Sequence, residues 1–143
     1  YKQATKKGTM IKKIITTAVI STALLMGANK MANADMSNPV NQALVQDGVK
    51  NAGIVIEGNK ACGNAEYIPT LSKMRTFYIN AFAVDEMDTS LIDMYISTGL
   101  SEVYHGQHYK TFRQIKKFRN HPETVKACKK LSEKAIEIQS HWN

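Results

Sequence analysis

"NHPETVKACKKLSEKAIEIQSHWN", Asn120 to Asn143, carries the clearest structural signal in the chain. Asn120-His121-Pro122-Glu123 reads as a helix start, with polar residues ahead of a proline that the first helical turn accepts. Behind it Val125, Cys128, Leu131, Ala135, Ile138 and Trp142 recur every three or four residues, the period of one helix face turned towards a core. That apolar stripe carries a cysteine, and one other cysteine, Cys62, exists to meet it.

What the two cysteines do depends on the compartment. "MIKKIITTAVISTALLMGANKMANAD", Met10 to Asp35, has the three parts of a secretory leader. Lys12 and Lys13 form a positive start, Ile14 to Met26 an apolar run, and Ala32-Asn33-Ala34 the small residues a signal peptidase accepts. A spanning helix needs roughly 20 apolar residues, and Asn29 and Lys30 interrupt the run before that length. The sequence therefore predicts a signal peptide over 10–34, cut between Ala34 and Asp35, and a mature domain over 35–143. Tyr1 to Thr9, ahead of the first plausible start at Met10, read as translated upstream sequence or a cloning remnant. The expected location is the periplasm, or outside the cell, with a membrane met only during export. In an exported chain an even cysteine count implies pairing, with two free thiols or a metal pair as the alternative. Closing a Cys62–Cys128 loop would contribute about 4 kcal/mol in the chain-entropy account.

Charge supports this division. The chain is +7 overall, but residues 1–34 hold six lysines and no acid, which leaves the mature part near +1. The high isoelectric point belongs to the leader and gives no argument for nucleic acid. Residues 35–104 carry four Lys/Arg against nine Asp/Glu, and residues 105–143 carry nine against three together with all four histidines. The mature protein is predicted to be a near-neutral dipole whose C-terminal third gains charge as pH falls through the histidine range.

Helical spacing runs through the rest of the mature chain. Ser37-Asn38-Pro39 starts a first helix that is expected to fade near Asn51-Ala52-Gly53. Ile54-Val55-Ile56 is either its end or a short extended piece, and Gly58, Asn59 and Gly63 mark a loop holding Cys62. Pro69 opens a second helix through Leu71, Met74, Tyr78 and Ala81. Asp88-Thr89-Ser90 caps a third carrying Leu91, Ile92, Tyr95, Ile96, Leu100 and Val103, and a fourth follows Gly106 through Phe112, Ile115 and Phe118. The prediction is a small all-α, single-domain bundle of four to five helices stapled by one disulfide, with Phe77, Tyr78, Phe82, Tyr95, Phe112, Phe118 and Trp142 in its core.

Catalytic patterns are missing from the sequence: there is no His-Glu-x-x-His, no Gly-x-Ser-x-Gly and no glycine-rich phosphate loop. Glu102 and His105 stand in the Glu-x-x-His arrangement of di-iron bundles, but that chemistry needs a second copy of the motif. His105 and His108 could pair on a metal or sense pH; otherwise His105 belongs to a helix C-terminus, where positive charge suits the dipole. Two basic stripes are candidate docking surfaces: Lys110, Arg113 and Lys117 in the fourth helix, and Lys126, Lys130 and Lys134 in the last. Their partner would be an acidic protein, anionic lipid head groups or lipopolysaccharide, and their alternative role is a solvated face. No cofactor is expected.

"HPETVKACKKLSEKA", His121 to Ala135, resembles the segment around the second cysteine of the small periplasmic acid-stress chaperones of the HdeA/HdeB type, and "NKACGNAEYI", Asn59 to Ile68, resembles their first-cysteine region. The resemblance implies a disulfide at Cys62 and Cys128, and a chaperone that exposes apolar surface to unfolded clients at low pH. The residues themselves point first to a non-enzymatic protein-binding factor of the immunity, inhibitor or exclusion kind, then to the chaperone, then to a histidine-based metal handler. In the chaperone case the last two helices would loosen between roughly pH 6 and 3, exposing Val125, Leu131 and Ile138. The leader is tested by intact mass: exported protein should begin at Asp35, and a membrane-retained species that keeps Ile14–Met26 would refute the export assignment.

Overall fold

The computed structural model describes residues 35–67, 70–106 and 108–142, without the side chain of Tyr67. The predicted leader, Tyr1 to Ala34, and the predicted helix opener Pro69 lie outside the described residues. Among the described residues there are five α-helices and no strand. They are α1 (Pro39–Cys62), α2 (Leu71–Phe82), α3 (Glu86–His105), α4 (Tyr109–Lys117) and α5 (Pro122–Trp142), with one 3-10 turn over Ala65–Tyr67. The fold is the small all-α bundle with one disulfide that the sequence predicts.

Helix α1 begins as expected. The Asn38 side chain accepts from the Val40 N–H at 2.9 Å, and Pro39 occupies the first turn. It does not fade at Asn51-Ala52-Gly53. It runs on through Ile54-Val55-Ile56, Gly58 and Asn59 to Cys62, so the predicted loop around Cys62 is the last turn of a 24-residue helix. The reason is burial on every side. From Asn51 to Asn59 every residue except Glu57 is buried, so packing replaces the amphipathic stripe that marks an ordinary surface helix. Its glycines are contact points. A Cβ on Gly58 would stand 2.9 Å from the Leu131 side chain of α5, and one on Gly99 of α3 would stand 2.8 Å from Val49 of α1.

Two apolar clusters lie along α1. Val45, Val49, Ala52 and Val55 pack with Phe77, Tyr78 and Phe82 of α2, Ile92 of α3 and Ala135, Ile138 and Trp142 of α5. Ile54, Ala61 and Cys62 pack with Val103, Phe112, Ile115, Ala127 and Leu131. All the predicted core aromatics are buried or half-buried. Val125 is the exception on the α5 stripe: it is 54% exposed, and Thr124 and Ala127 face the core beside it. The stripe is rotated by one residue at its start because small side chains fit the close approach to α1. Helix α3 is capped by Asp85, which accepts from the Asp88 N–H at 2.8 Å. Asp88, predicted as the cap region, instead accepts from the backbone N–H groups of Val84 (2.9 Å) and Met36 (3.3 Å).

Cys62 and Cys128 are joined, with Cα atoms 5.7 Å apart across 66 positions. The staple links the C-terminal end of α1 to α5. Beside it Asn59, fully buried, donates to the carbonyls of Val55 (2.8 Å) and Leu131 (2.9 Å) and accepts from Asn64 at 3.1 Å. Asn59→Ala should lower stability by about 1–3 kcal/mol, since the Leu131 carbonyl and the Asn64 amide would each lose a partner. Replacing both cysteines with serine should lower it by about 2–5 kcal/mol. Denaturant melts of the oxidised protein and the two variants check both values.

Candidate partner-binding surface

The C-terminal ends of α1 and α3 meet α4 at one end of the bundle. Gly63 ends α1 with φ of 78°, a left-handed turn in which its N–H donates to the carbonyls of Asn59 and Lys60. Arg119 lies against this glycine, its Nη2 donating to the Ala61 carbonyl at 2.8 Å. Helix α3 stops at Gly106, and the chain re-enters a helix at Tyr109, whose N–H donates to the Gly106 carbonyl at 3.1 Å. Helix α4 is short and strongly two-faced. Thr111, Phe112 and Ile115 are buried against α1, and Lys110, Arg113, Lys116 and Lys117 stay exposed.

A concave pocket of about 500 Å³ forms where these ends meet. Phe112 lies at its apolar side, Tyr104 and Tyr109 flank it, and Lys60, Arg113 and Lys116 supply positive charge. Tyr104 and Tyr109 pack edge to face at 6.5 Å, and the Arg113 guanidinium lies over the Tyr109 ring, 5.8 Å from its centroid. Such a guanidinium–aromatic contact holds a cation in place with its edge free to hydrogen-bond. Both tyrosines remain nearly half exposed. Glu57 also lines the pocket and pairs with Lys60 at 3.2 Å, so Arg113 and Lys116 carry most of the excess positive charge there.

Of the six basic residues singled out in the sequence, Arg113 alone lines this pocket. Lys110 is exposed on the same helix, and Lys117 lies 5.6 Å from the Phe118 ring at its end. Lys126 and Lys130 are exposed on α5. Lys134 is not a free docking charge: its side chain is largely buried and pairs with Glu137 at 2.6 Å. Lys60 and Lys116 were missed in the sequence, the first because its segment reads as loop. Tyr104 and Tyr109 were missed too, although they flank the Gly106 break at equal standing with the histidines.

Glu102 does not join His105. It reaches across to Lys50 of α1 at 3.0 Å, while the His105 ring stands edge-on to Tyr104 at 4.7 Å. Among the described residues no three His, Cys, Asp or Glu side chains come together as a metal cluster. His108 precedes α4 half-buried, its ring 6.3 Å from that of Phe112. The Cys62–Cys128 disulfide adjoins this end of the bundle through Ala61. No helix of the described residues is long and apolar enough to cross a membrane. The chain matches no protein-family model, no curated protein and no solved structure.

Burial pushes the His108 imidazole below its usual range. Folding therefore favours its neutral form. Its contribution is fully retained above the unfolded value of about 6.5 and is lost as pH falls through that value towards the lower native one. Thermal melts between pH 7 and 5 should show stability falling with pH, and His108→Gln should flatten that slope; an unchanged slope would exclude His108 as its source.

Proposed function

We propose that this chain is an exported, non-enzymatic protein-binding factor of the immunity, inhibitor or exclusion kind, and that it docks an acidic partner on the Tyr104–Tyr109–Arg113 surface. The observation that carries this reading is the exposed tyrosine pair set beside Lys60, Arg113 and Lys116 around a concave pocket. Tyrosine and arginine concentrate binding energy at protein interfaces, because they bury a large area with few rotatable bonds and still reach polar partners. The basic residues around them would speed encounter with an acidic surface and penalise a basic one.

The disulfide supports export, since such bonds persist in oxidising compartments, the periplasm among them. Together with the leader-like stretch before Asp35, it favours a periplasmic site of action. The exposed Lys126 and Lys130 of α5 would extend the positive field without sharing the pocket.

An acid-stress chaperone is the second reading, and the lowered His108 is the observation in its favour. Protonating a half-buried imidazole at the base of α4 would weaken the end of the bundle where α1, α3 and α4 meet. The apolar surface to be released there is Phe112, Ile115 and Leu131, since Val125 is already outside.

One experiment separates the two. Tagged protein is used to capture partners from periplasm at neutral pH and near pH 3, alongside an Arg113→Glu/Lys116→Glu variant. Both side chains are exposed, so the variant should keep its fold. A single stoichiometric partner at neutral pH, lost with the variant, is the expected result. Capture of that partner in equal amount by the variant would refute the surface, and many clients appearing only near pH 3 would favour the chaperone.

A further inference from the structure

The opposite end of α3, roughly 25 Å along the helix axis from Tyr104, holds a different surface. Met87, Leu91 and Met94 follow at i, i+4 and i+7, so they form one ridge over two turns. With Met36, just before α1, and Gln42 in its first turns they line an open groove of about 640 Å³. Met87 is 81% exposed and Met94 51%, an unusual amount of bare thioether for two residues of one helix.

The groove walls are held in place. Asp88 accepts from the Met36 N–H at 3.3 Å and from the Val84 N–H at 2.9 Å, and the Gln42 amide donates to the Met36 carbonyl at 2.8 Å. Asp85 in turn closes the first turn of α3. The exposed methionines therefore stand on a fixed frame and not on a frayed end. The surroundings are acidic. Exposed Glu86 lines the groove, exposed Asp85 and Asp35 adjoin lining residues in sequence, Asp88 is buried with its carboxylate already accepting two backbone N–H groups, and no Lys or Arg lines the groove among the described residues.

We propose that this groove docks a cationic amphipathic helix from another polypeptide. Apolar anchors spaced every three or four residues would lie along the Met87–Leu91–Met94 ridge, and flanking Lys or Arg would meet the acidic rim. Three physical features select that occupant. The groove is open along its length, whereas a small-molecule site encloses most of its ligand. Its ridge spans two helical turns, the repeat that helix-in-groove recognition uses. Unbranched, polarisable methionine side chains repack around differing apolar anchors, and the carboxylates favour positive flanks and reject negative ones. This site is separate from the acidic-partner surface, and neither depends on the other.

The test uses the folded, oxidised protein and three labelled synthetic peptides: a Leu/Lys amphipathic helix, a Leu/Glu helix of the same pattern, and a scrambled Leu/Lys peptide. Fluorescence anisotropy should show saturable binding of the first, weakening with added salt, and at least about tenfold weaker binding of the other two. Methyl NMR should place the largest shifts on Met36, Met87 and Met94. A Met87→Lys/Met94→Lys variant, altered only at exposed positions, should lose about tenfold or more in affinity, while Val125→Lys, an exposed apolar control on α5, should not. Equal binding of the Leu/Lys and Leu/Glu helices, shifts away from these methionines, or binding by Met87→Lys/Met94→Lys at wild-type strength would each overturn the proposal. So would sedimentation showing a self-associated wild type that Met87→Lys/Met94→Lys converts to monomer, because the groove would then belong to a second copy.

Discussion

Everything in this bundle is arranged around a helix whose second half, from Asn51 to Asn59, is buried almost all round. Over its second half α1 is enclosed by α3, α4 and α5, and this is possible only because the chain supplies small groups where backbones must approach. Gly58 lets Leu131 sit against α1, and Gly99 on α3 accepts Val49. A larger side chain at either point would push two helices apart, and interiors packed this densely absorb such changes poorly. The polar exception, Asn59, is buried with its amide shared between α1 and α5, so the enclosure is specified in direction as well as in volume.

That enclosure leaves α3 as the axis along which the molecule differentiates. The sorting of charge between residues 35–104 and 105–143 becomes a sorting in space: carboxylates gather at the N-terminal turn of α3, and lysines and arginines at its C-terminal end with α4. Each end also exposes the apolar groups suited to its charge environment. Methionines lie among carboxylates at one end, and tyrosines lie beside guanidinium and ammonium groups at the other, where a ring face can hold a cation. The ion pairs between helices, Lys50–Glu102 and Arg75–Asp93, are exposed at both partners and contribute little to stability.

The parts of this architecture that periodicity reports were legible beforehand. Helix α5 shows its stripe because only one of its faces is buried, and the α1 start shows its Asn38-Pro39 signal because capping is local chemistry. The second half of α1 was not legible for the same reason reversed. A helix buried all round has no polar phase to set against the apolar one, and Gly53, Gly58 and Asn59 imitate the punctuation of a loop. Asp88 misled in another way: a residue that resembles a cap was committed to a tertiary hydrogen bond from Met36 and a local one from Val84, and Asp85 took the capping role. At the candidate surface, one-dimensional spacing found Arg113 but could not show that Lys60 and Tyr104, far apart in sequence, end beside it.

The Cys62–Cys128 bond has a topological side. It closes a covalent ring that contains α2, α3 and α4 entire, with α1 and α5 leaving it as two tails that lie packed against one another. A protease that cuts once inside the ring, at the bend around Gly106 for example, opens a chain but releases no fragment. The product is a two-chain molecule of unchanged mass apart from one added water, still tied through its core. Wherever a protease reaches it, that surface bend can be severed without either end of α3 being lost from the rest of the fold.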